Sequence, residues 1–470
     1  MNTLAADAAT PDKERLARWT IPFLRFAFLA LMLAATSSNA ANTLYSFTNK
    51  FDGAQPYAGL VQGNDGNFYG TCFGGGSNDL GSIFKISPSG AFTPLFSFSF
   101  LDGETPTAGL TLGTDGNFYG TTFEGGADFS YGTVFQISSS GVFNSLYSFT
   151  NGTDGSSPYG GLEEGTNGAF YGVASSGGVN NNGIVFQISP AGVFAPVYYF
   201  NNGVDGSQPR AALTLAGNGL FYGTTYAGGS NGQGAIFGIT AGGVLTPLHS
   251  FSGGADGANP VGQLTQGTNG ILYGTAYVGG ASGNGTVFQI TTSGAFQLLY
   301  SFTNGSNGAN PAAGLALGND GNFYGTTYSG GPNNDGGIFK ITAQGMFTPL
   351  YLFAGGQDGA NPQAMLVQGN DGDFYGTTQF GGVDNDGTVF KINVSAIPPV
   401  LTAITKFRGT YEITWSGLPG QSYQAQYATN LTQINWNNLG GPVIATNGLG
   451  SQIDTTPITT ERFYRVFQVQ

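Results

Sequence analysis

A hexapeptide close to NFYGTT returns seven times along the chain and constrains the fold more than any other feature of the sequence. Successive copies are 50, 52, 51, 51, 51 and 51 residues apart. A period this regular indicates seven copies of one supersecondary unit, as in propellers and solenoids. The tyrosines that mark the copies are Tyr69, Tyr119, Tyr171, Tyr222, Tyr273, Tyr324 and Tyr375.

Each unit is predicted to contain four short strands. A strand resembling GLVQG leads into a D-G or N-G step such as Asp65-Gly66, a strong hairpin signal because both central residues tolerate positive φ. The NFYGTT strand follows, then a Gly-Gly pair, then an F-x-I strand beginning at residues such as Phe84. A last strand resembling FTPLYSF comes after a glycine turn. Four strands per unit are typical of a propeller blade.

The last strand of the unit is out of phase with the rest of the repeat. Residues 44–47 form an LYSF segment ahead of the first unit, whereas the seventh unit has no such segment after Ile392. We therefore expect the N-terminal strand to complete the last blade and close the ring, which would also satisfy exposed strand edges. The prediction is an all-β, seven-bladed β-propeller over residues 43–397. An open β-solenoid is the competing architecture, but it would not explain the displaced strand.

The N-terminus has the features of an export signal. Basic residues from Lys13 to Arg25 precede an apolar run at 26–35, and small residues at Ser38 and Ala40 suit signal peptidase. A run of about ten residues is too short for a membrane helix, which needs roughly 20. Residues 1–40 are predicted to be a removed signal peptide, with a retained anchor as the alternative. The mature chain would have no transmembrane segment and would be secreted or lie at the cell surface.

Beyond Pro398-Pro399 the repeat period ends and a second module begins. Segments 411–415, 422–427 and 463–466 alternate polar and apolar residues as half-exposed strands do. Residues 400–470 are predicted to form a small β-sandwich similar to fibronectin type III modules.

Composition excludes several classes of function. The chain carries 13 Lys and Arg residues and a net charge of −13, so nucleic acid is not an expected partner. It has one cysteine and one histidine, too few for a zinc site. Cys72 occupies a repeat position that is usually threonine, and His249 replaces the tyrosine of LYSF. Both are interpreted as structural, and neither a cofactor nor a metal is predicted.

Most aspartates fall in turns. Six of them begin a D-G-x-x-P step, in which Asp bonds its own backbone, Gly takes positive φ and Pro stiffens the exit. The alternative is a pair of catalytic carboxylates of the kind that cleaves glycosides. Residues 384–387 weakly resemble a calcium loop but lack its downstream acid. The six turn residues are Asp52, Asp102, Asp154, Asp205, Asp256 and Asp358.

Aromatic residues recur four positions after the repeat tyrosine, where the loop after Gly-Gly and the D-G-x-x-P loop should share one face. Such rings can stack on sugars or hold a peptide, although packing between blades is the alternative explanation. The predicted ligand-binding residues are Phe73, Phe123, Tyr226, Tyr277 and Tyr328, with Ser175 and Gln379 in the remaining copies.

The motifs GLVQGNDGNFYGTT, GG, GTVFKI and LYSF resemble the GloVer (Gloeo/Verruco) tandem repeat of choice-of-anchor bacterial surface proteins. The strand pattern is also similar to NHL-type propellers. The resemblance implies an exported, surface-displayed protein and brings no reaction, cofactor or catalytic residue. A non-catalytic binding or scaffold protein for extracellular glycan or cell-envelope polymer is the preferred function. A carboxylate-based polysaccharide lyase or hydrolase and a purely structural surface protein are the alternatives.

Overall fold

A computed structural model defines the fold of most of the chain. No α-helix occurs among the described residues, whose regular structure is antiparallel β-sheet apart from a 3-10 turn at Gly305–Asn307. The predicted signal peptide at 1–40 lies outside them. The described ranges are 41–127, 131–394, 400–407, 410–416, 422–429, 436–445, 449–455 and 462–469.

Seven antiparallel sheets follow one another along the chain, one for each repeat, and are named sheet 1 to sheet 7. Sheet 1 contains β2 (Val61–Gln62), β3 (Phe68–Cys72), β4 (Ser82–Ile86) and β5 (Phe92–Ser97). Sheet 2 contains β6 (Thr111–Leu112), β7 (Phe118–Thr122), β8 (Thr133–Ile137) and β9 (Phe143–Ser148). Sheet 3 contains β10 (Glu163–Glu164), β11 (Phe170–Ala174), β12 (Ile184–Ile188) and β13 (Phe194–Tyr199). Sheet 4 has five strands, β14 (Ser207–Pro209), β15 (Thr214–Leu215), β16 (Phe221–Ala227), β17 (Ala235–Ile239) and β18 (Leu245–Ser250).

The remaining sheets repeat the four-stranded plan. Sheet 5 contains β19 (Thr265–Gln266), β20 (Leu272–Ala276), β21 (Thr286–Ile290) and β22 (Phe296–Ser301), and sheet 6 contains β23 (Ala316–Leu317), β24 (Phe323–Thr327), β25 (Gly337–Ile341) and β26 (Phe347–Leu352). Sheet 7 contains β27 (Val367–Gln368), β28 (Phe374–Thr378), β29 (Thr388–Ile392) and the N-terminal strand β1 (Asn42–Ser46).

The N-terminal strand pairs with the last repeat, as the displaced LYSF segment predicts. Thr43 lies opposite Phe390 and Ser46 opposite Thr388 in an antiparallel ladder. The next residue, Phe47, donates its backbone N–H to Gly387 O at 3.0 Å. Phe98 makes the corresponding 3.0 Å bond to Gly81 within sheet 1. The strand therefore occupies in sheet 7 the position that β5 occupies in sheet 1.

The NFYGTT strand of each repeat is buried, apart from the last two residues of β16, so both of its faces pack against neighbouring sheets. Its central glycine is required by close packing: a Cβ on Gly70 would lie 2.6 Å from the Phe84 ring and 2.8 Å from Leu60. A strand with a side chain at this position would have to move away from its partners. The glycine of NFYGTT therefore leaves the space that the Phe84 and Leu60 side chains of the same repeat fill.

Phenylalanine and tyrosine of the repeat join successive sheets by ring stacking. Tyr69 of sheet 1 stacks on Phe118 of sheet 2 with centroids 4.0 Å apart, and Tyr119 stacks on Phe170 of sheet 3 at 3.9 Å. Tyr375 of sheet 7 stacks in the same way on Phe68 of sheet 1. Each buried aromatic side chain contributes roughly 1.5–3 kcal/mol by leaving water, so this contact is a principal source of stability between sheets.

Two further antiparallel sheets follow residue 400. One is ordered β30 (Val400–Phe407), β31 (Thr410–Ser416), β35 (Leu449–Asp454). The other consists of β32 (Ser422–Ala428) paired with β33 (Asn437–Asn438), β34 (Val443–Ile444) and β36 (Phe463–Val469). Trp415 and Ile413 from the first sheet share a buried cluster with Tyr423 and Ala425 from the second. The two sheets therefore pack through one apolar core.

Candidate functional site

The D-G-x-x-P loop and the loop after the second strand of each repeat lie side by side, as predicted. Ala54 bridges Gly74 in the first repeat, and Glu104 bridges Glu124 in the second. In sheet 4 this pairing is regular enough to form β14, in which Ser207 lies opposite Ala227. Backbone hydrogen bonds thus hold the two predicted loops together on one face.

The aspartates of the D-G-x-x-P steps are held in their own turns. Asp154 accepts hydrogen bonds from the backbone N–H groups of Thr150 at 2.8 Å and Gly152 at 3.1 Å, and from the Tyr147 hydroxyl at 3.0 Å. Asp52 accepts the corresponding bonds from Thr48, Lys50 and Tyr45. These carboxylates stabilise turns, which confirms the structural interpretation for them.

His249 and Cys72 also occupy structural positions. The His249 ring takes the tyrosine position of LYSF, stacks on Phe296 at 4.1 Å and places Nε2 3.1 Å from Asp256 Oδ2. Cys72 is fully buried, and burial raises the pKa of its thiol. A buried thiol of this kind is a poor nucleophile.

A cavity of about 470 Å³ lies where the seven loops converge, a volume typical of ligand sites. Most of its wall is formed by the segments that run from each proline into the first strand of its sheet. Adjacent segments are in close contact, since a Cβ on Gly109 would lie 3.0 Å from Gly59 O. The seventh segment contacts the first in the same way, because a Cβ on Gly59 would lie 2.9 Å from Met365 O.

Three of the five predicted rings line this cavity: Tyr226, Tyr277 and Tyr328. The other two, Phe73 and Phe123, are not among the lining residues. Phe73 packs behind Tyr57 with centroids 5.8 Å apart, and Phe123 packs behind Tyr159 at 5.7 Å. These two phenylalanines therefore support lining rings instead of forming the wall themselves.

The structure adds lining residues that the spacing argument misses. They directly follow the proline of the D-G-x-x-P step, and they include Tyr57, Tyr159 and Arg210. The Tyr57 and Tyr159 hydroxyls lie 3.5 Å apart. Five tyrosines therefore line one cavity, two from this position and three from the predicted one.

Burial and mutual proximity raise the pKa of three cavity tyrosines, Tyr159, Tyr277 and Tyr328. Burial raises the pKa of Tyr159, and the nearby Tyr57 hydroxyl raises it further. The pKa values of Tyr277 and Tyr328 are also raised, first by burial and then by neighbouring tyrosines. The wall consequently presents neutral O–H groups that can donate or accept hydrogen bonds.

Arg210 is the one cation among the lining residues. Its guanidinium carbon lies 3.7 Å from the centroid of the Tyr226 ring and 5.7 Å from that of Tyr159. Nη2 donates to Gln208 Oε1 at 3.3 Å. Stacking on aromatic faces restrains the guanidinium plane while leaving its edge N–H groups available.

Glu163 is the one acid among the lining residues. Burial raises the pKa of its carboxyl, which accepts a hydrogen bond from the Leu215 backbone N–H at 3.1 Å. Glu163 belongs to the third repeat and Arg210 to the fourth. The cavity wall therefore carries its two charged side chains on adjacent repeats.

No metal-binding group was found among the described residues, in the sense of three or more clustered His, Cys, Asp or Glu side chains. The calcium-like segment at 384–387 has a structural role, since Asn385 Oδ1 accepts a hydrogen bond from the Gly381 N–H at 3.0 Å. Asp79 makes the same bond to Gly75 in the first repeat. Within the parts of the chain that the structure describes, no helix is long and apolar enough to cross a bilayer.

A family model for the Gloeobacter/Verrucomicrobia repeat matches residues 30–164, 150–316 and 218–440. The chain belongs to the Gloeobacter/Verrucomicrobia repeat family. This agrees with the resemblance of the NFYGTT, GG and LYSF motifs. No curated protein matches the chain in sequence.

Several solved structures are similar to this Gloeobacter/Verrucomicrobia repeat protein at low identity. A putative 6-phosphogluconolactonase from Bacteroides uniformis is 16% identical with a TM-score of 0.48, over 83% of this chain and 100% of that one. An ulvan lyase, described as a new family of polysaccharide lyase, is 11% identical with a TM-score of 0.44, over 75% and 94%. A puromycin hydrolase is 10% identical with a TM-score of 0.43, over 81% and 62%. At TM-scores below 0.5, none of them supports an inference about activity.

One sequence signal could have located the missing wall residues. In the seven Gloeobacter/Verrucomicrobia repeats of this chain, the residue after the proline differs in character from copy to copy although its neighbours repeat closely. Variation inside an otherwise regular repeat indicates a position at which the fold does not constrain the identity of the side chain. The residues at this position are Tyr57, Thr107, Tyr159, Arg210, Val261, Ala312 and Gln363.

Proposed function

We propose that sheets 1 to 7 are the blades of a seven-bladed β-propeller that β1 closes. The cyclic contacts support this proposal, since sheet 7 meets sheet 1 through Tyr375 and Phe68 and through a 3.0 Å hydrogen bond from Thr377 Oγ1 to Ala58 O. We further propose that the two C-terminal sheets form a fibronectin type III-like β-sandwich at 400–470. Residues 1–40 would direct export, so that the mature chain acts in the extracellular space or at the cell surface.

We propose that the mature protein binds extracellular glycan or another cell-envelope polymer in the cavity and does not cleave it. The observation that carries this proposal is the set of five tyrosines around one opening of about 470 Å³. Aromatic faces stack on the apolar faces of sugar rings, and neutral hydroxyls exchange hydrogen bonds with sugar hydroxyls. The set comprises Tyr57, Tyr159, Tyr226, Tyr277 and Tyr328.

The distribution of acids favours binding over hydrolysis. Glycoside cleavage by carboxylates needs two acids that flank the scissile bond. The wall carries a single carboxyl, Glu163, and the Asp154 and Asp52 carboxylates are engaged in turns. A purely structural surface protein would have no need for five rings that converge on one cavity.

A glycan array with the chain that begins at residue 41 tests the proposal. Binding should be lost in a Tyr277→Ala, Tyr328→Ala double variant, which removes two lining rings. The matched control is Phe51→Ala, because Phe51 is an exposed ring outside the cavity. Equal binding by all three proteins would place recognition elsewhere, and no binding by any of them would favour the structural role.

Incubation with each bound polysaccharide, followed by analysis for shortened products, tests the absence of turnover. Intact polymer is the expected result. Product release that depends on Glu163 would instead identify a lyase or hydrolase.

A further inference from the structure

We propose that Arg210 binds the carboxylate of an acidic sugar, so that the cavity selects uronate-containing polymers. This inference rests on the proposed glycan-binding function and names its ligand class. It begins from the position of Arg210, which is the one cation on a wall built mainly from tyrosine, alanine, glycine and leucine.

The guanidinium of Arg210 is positioned but not neutralised. No Asp or Glu among the described residues forms an ion pair with it, since the ion pairs found there involve other cations. The polar contact of its Nη2 atom is to a neutral amide oxygen of Gln208. A half-buried cation without an anionic partner is a site for an anion from outside, because charge-assisted hydrogen bonds are about twice as strong as neutral ones.

Stacking gives the guanidinium a defined orientation. The guanidinium carbon lies 3.7 Å from the centroid of the Tyr226 ring, a contact that restrains the plane of the group. The centroid of the Tyr159 ring lies 5.7 Å from the same carbon. A planar fork of N–H donors matches the two oxygens of a carboxylate. The adjacent rings would pack against the sugar that carries this carboxylate.

Arg210 is also an exception among the repeats. The corresponding residues in the other six copies are uncharged. The four-stranded plan therefore does not require a cation at this position, because six repeats form it without one; sheet 4 has the same plan with the short strand β14 added. A function for the ligand explains a charge that the fold does not need.

Glu163, the one acid on the wall, does not cancel this site. It lies outside ion-pair distance of Arg210, and its carboxyl accepts a hydrogen bond from the Leu215 N–H. Burial raises the pKa of this carboxyl, and the backbone hydrogen bond from Leu215 counters part of that rise. The chain as a whole carries a charge of −13, so an acidic polymer needs a local cation to bind.

The test compares three uronate polymers with the same polymers after their carboxyl groups have been reduced to alcohols. Polygalacturonate, alginate and hyaluronate are suitable, and binding is measured by calorimetry with the chain that begins at residue 41. We expect at least one carboxylate form to bind about tenfold or more tightly than its reduced form. In Arg210→Gln this preference should disappear, and Arg210→Lys should keep part of it because the charge remains without the fork.

Lys85→Gln is the matched control, because it removes one positive charge from β4, outside the cavity. Thermal unfolding of each variant shows whether the fold is retained. Equal binding of carboxylate and reduced forms, or a preference that survives in Arg210→Gln, would overturn the inference and leave glycan binding in place. Binding of sulfated polymers without uronate binding would overturn the choice of carboxylate. Failure to bind any glycan, neutral or acidic, would overturn both the inference and the proposed function.

Discussion

The Tyr375 ring stacks on the Phe68 ring with centroids 4.0 Å apart and thereby joins the last repeat to the first. The geometry is that of neighbouring repeats, such as Tyr69 on Phe118 at 4.0 Å. Phe47 continues the same pattern, since its ring lies 5.3 Å from that of Phe84, as the Phe200 ring does from Phe237. Contacts at the chain terminus are therefore equivalent to contacts within the array.

This equivalence predicts the effect of removing the Phe47 side chain. Phe47→Ala should lower the free energy of unfolding by about 3–5 kcal/mol, the usual cost of deleting a fully buried phenylalanine. Phe200→Ala, the internal counterpart, should cost the same within experimental error. Urea unfolding measures both. A much smaller loss for Phe47→Ala would mean that the terminal strand is dispensable and the array open.

Thr105 is expected to be a weak point of the second repeat. It has φ of 51° and a buried hydroxyl without a hydrogen-bond partner. Asn259 occupies the corresponding position with φ of 52°, and its Nδ2 donates to Tyr226 O at 2.9 Å. Asparagine tolerates this left-handed conformation better than a β-branched residue. Thr105→Asn should therefore stabilise the protein by about 1 kcal/mol.

The reverse exchange provides the control for that prediction. Asn259→Thr should destabilise the protein by a similar amount, because it removes the bond to Tyr226 O and introduces a β-branched residue at positive φ. Thermal unfolding of both variants gives the comparison. Shifts of the same sign in the two variants would contradict the explanation.

Three turn aspartates predict a loss of stability in acid. Burial alone would raise the pKa of Asp115, but hydrogen bonds from Asn117 and Tyr119 hold it below the ordinary value of 3.8. The pKa values of Asp65 and Asp371 are lowered by similar bonds. A lowered folded-state pKa contributes stability that is present above the unfolded-state pKa and lost as pH falls through the folded-state pKa.

Replacing these aspartates by asparagine should therefore flatten the acid limb of the stability profile. The Asp65, Asp115 and Asp371 triple Asn variant should lose less stability than the wild type below about pH 4. Unfolding midpoints measured from pH 7 to pH 2 give the two curves. Asn167→Asp, at a turn that is naturally amide, should steepen the limb; parallel curves for all three proteins would exclude the turn carboxylates as its cause.

His249 should be replaceable by tyrosine. The Tyr147 hydroxyl bonds Asp154 at 3.0 Å as His249 Nε2 bonds Asp256 at 3.1 Å. We expect His249→Tyr to change the free energy of unfolding by less than about 1 kcal/mol and to leave glycan binding unchanged. Calorimetry on the variant measures both properties. A loss of function in a stable variant would give this histidine a role outside the fold.

The sequence predicts the parts of the fold that depend on the spacing and order of the repeated motifs along the chain. The period of Tyr69 and its counterparts, and the early LYSF segment, are sufficient to predict seven units and the partner of β1. The direction of a side chain relative to the cavity is a different property. Phe73 and Tyr226 occupy the same repeat position, yet Phe73 lies behind Tyr57 whereas Tyr226 lines the wall.

Local occupancy decides that difference. A ring at the position after the proline, as in Tyr57, fills the space next to the cavity and leaves the outer ring behind it. Phe123 lies in the same way behind Tyr159 of the following repeat. Where neither the same repeat nor the next one has a ring at that position, as with Ala312 and Gln363 on either side of Tyr328, the outer tyrosine reaches the wall. Whether the outer ring lines the cavity therefore depends on the residues that follow the proline in its own and the next repeat. A sequence pattern that considers one repeat position at a time cannot predict this outcome.

In the proposed binding site, the segment after each proline separates the residues that would contact a ligand from those that form the sheets. Its backbone packs closely against that of a neighbouring segment, as at Gly59 and Gly109, while the residue after the proline lines the opening in every repeat. Such a wall can change at these seven positions with little penalty to the sheets behind it, and each change also alters the contacts of neighbouring wall residues, such as that between Arg210 and Tyr159. Related chains with the same seven sheets can thus differ in the ligand of the proposed site, and engineered versions can be made by exchanging the residue after each proline.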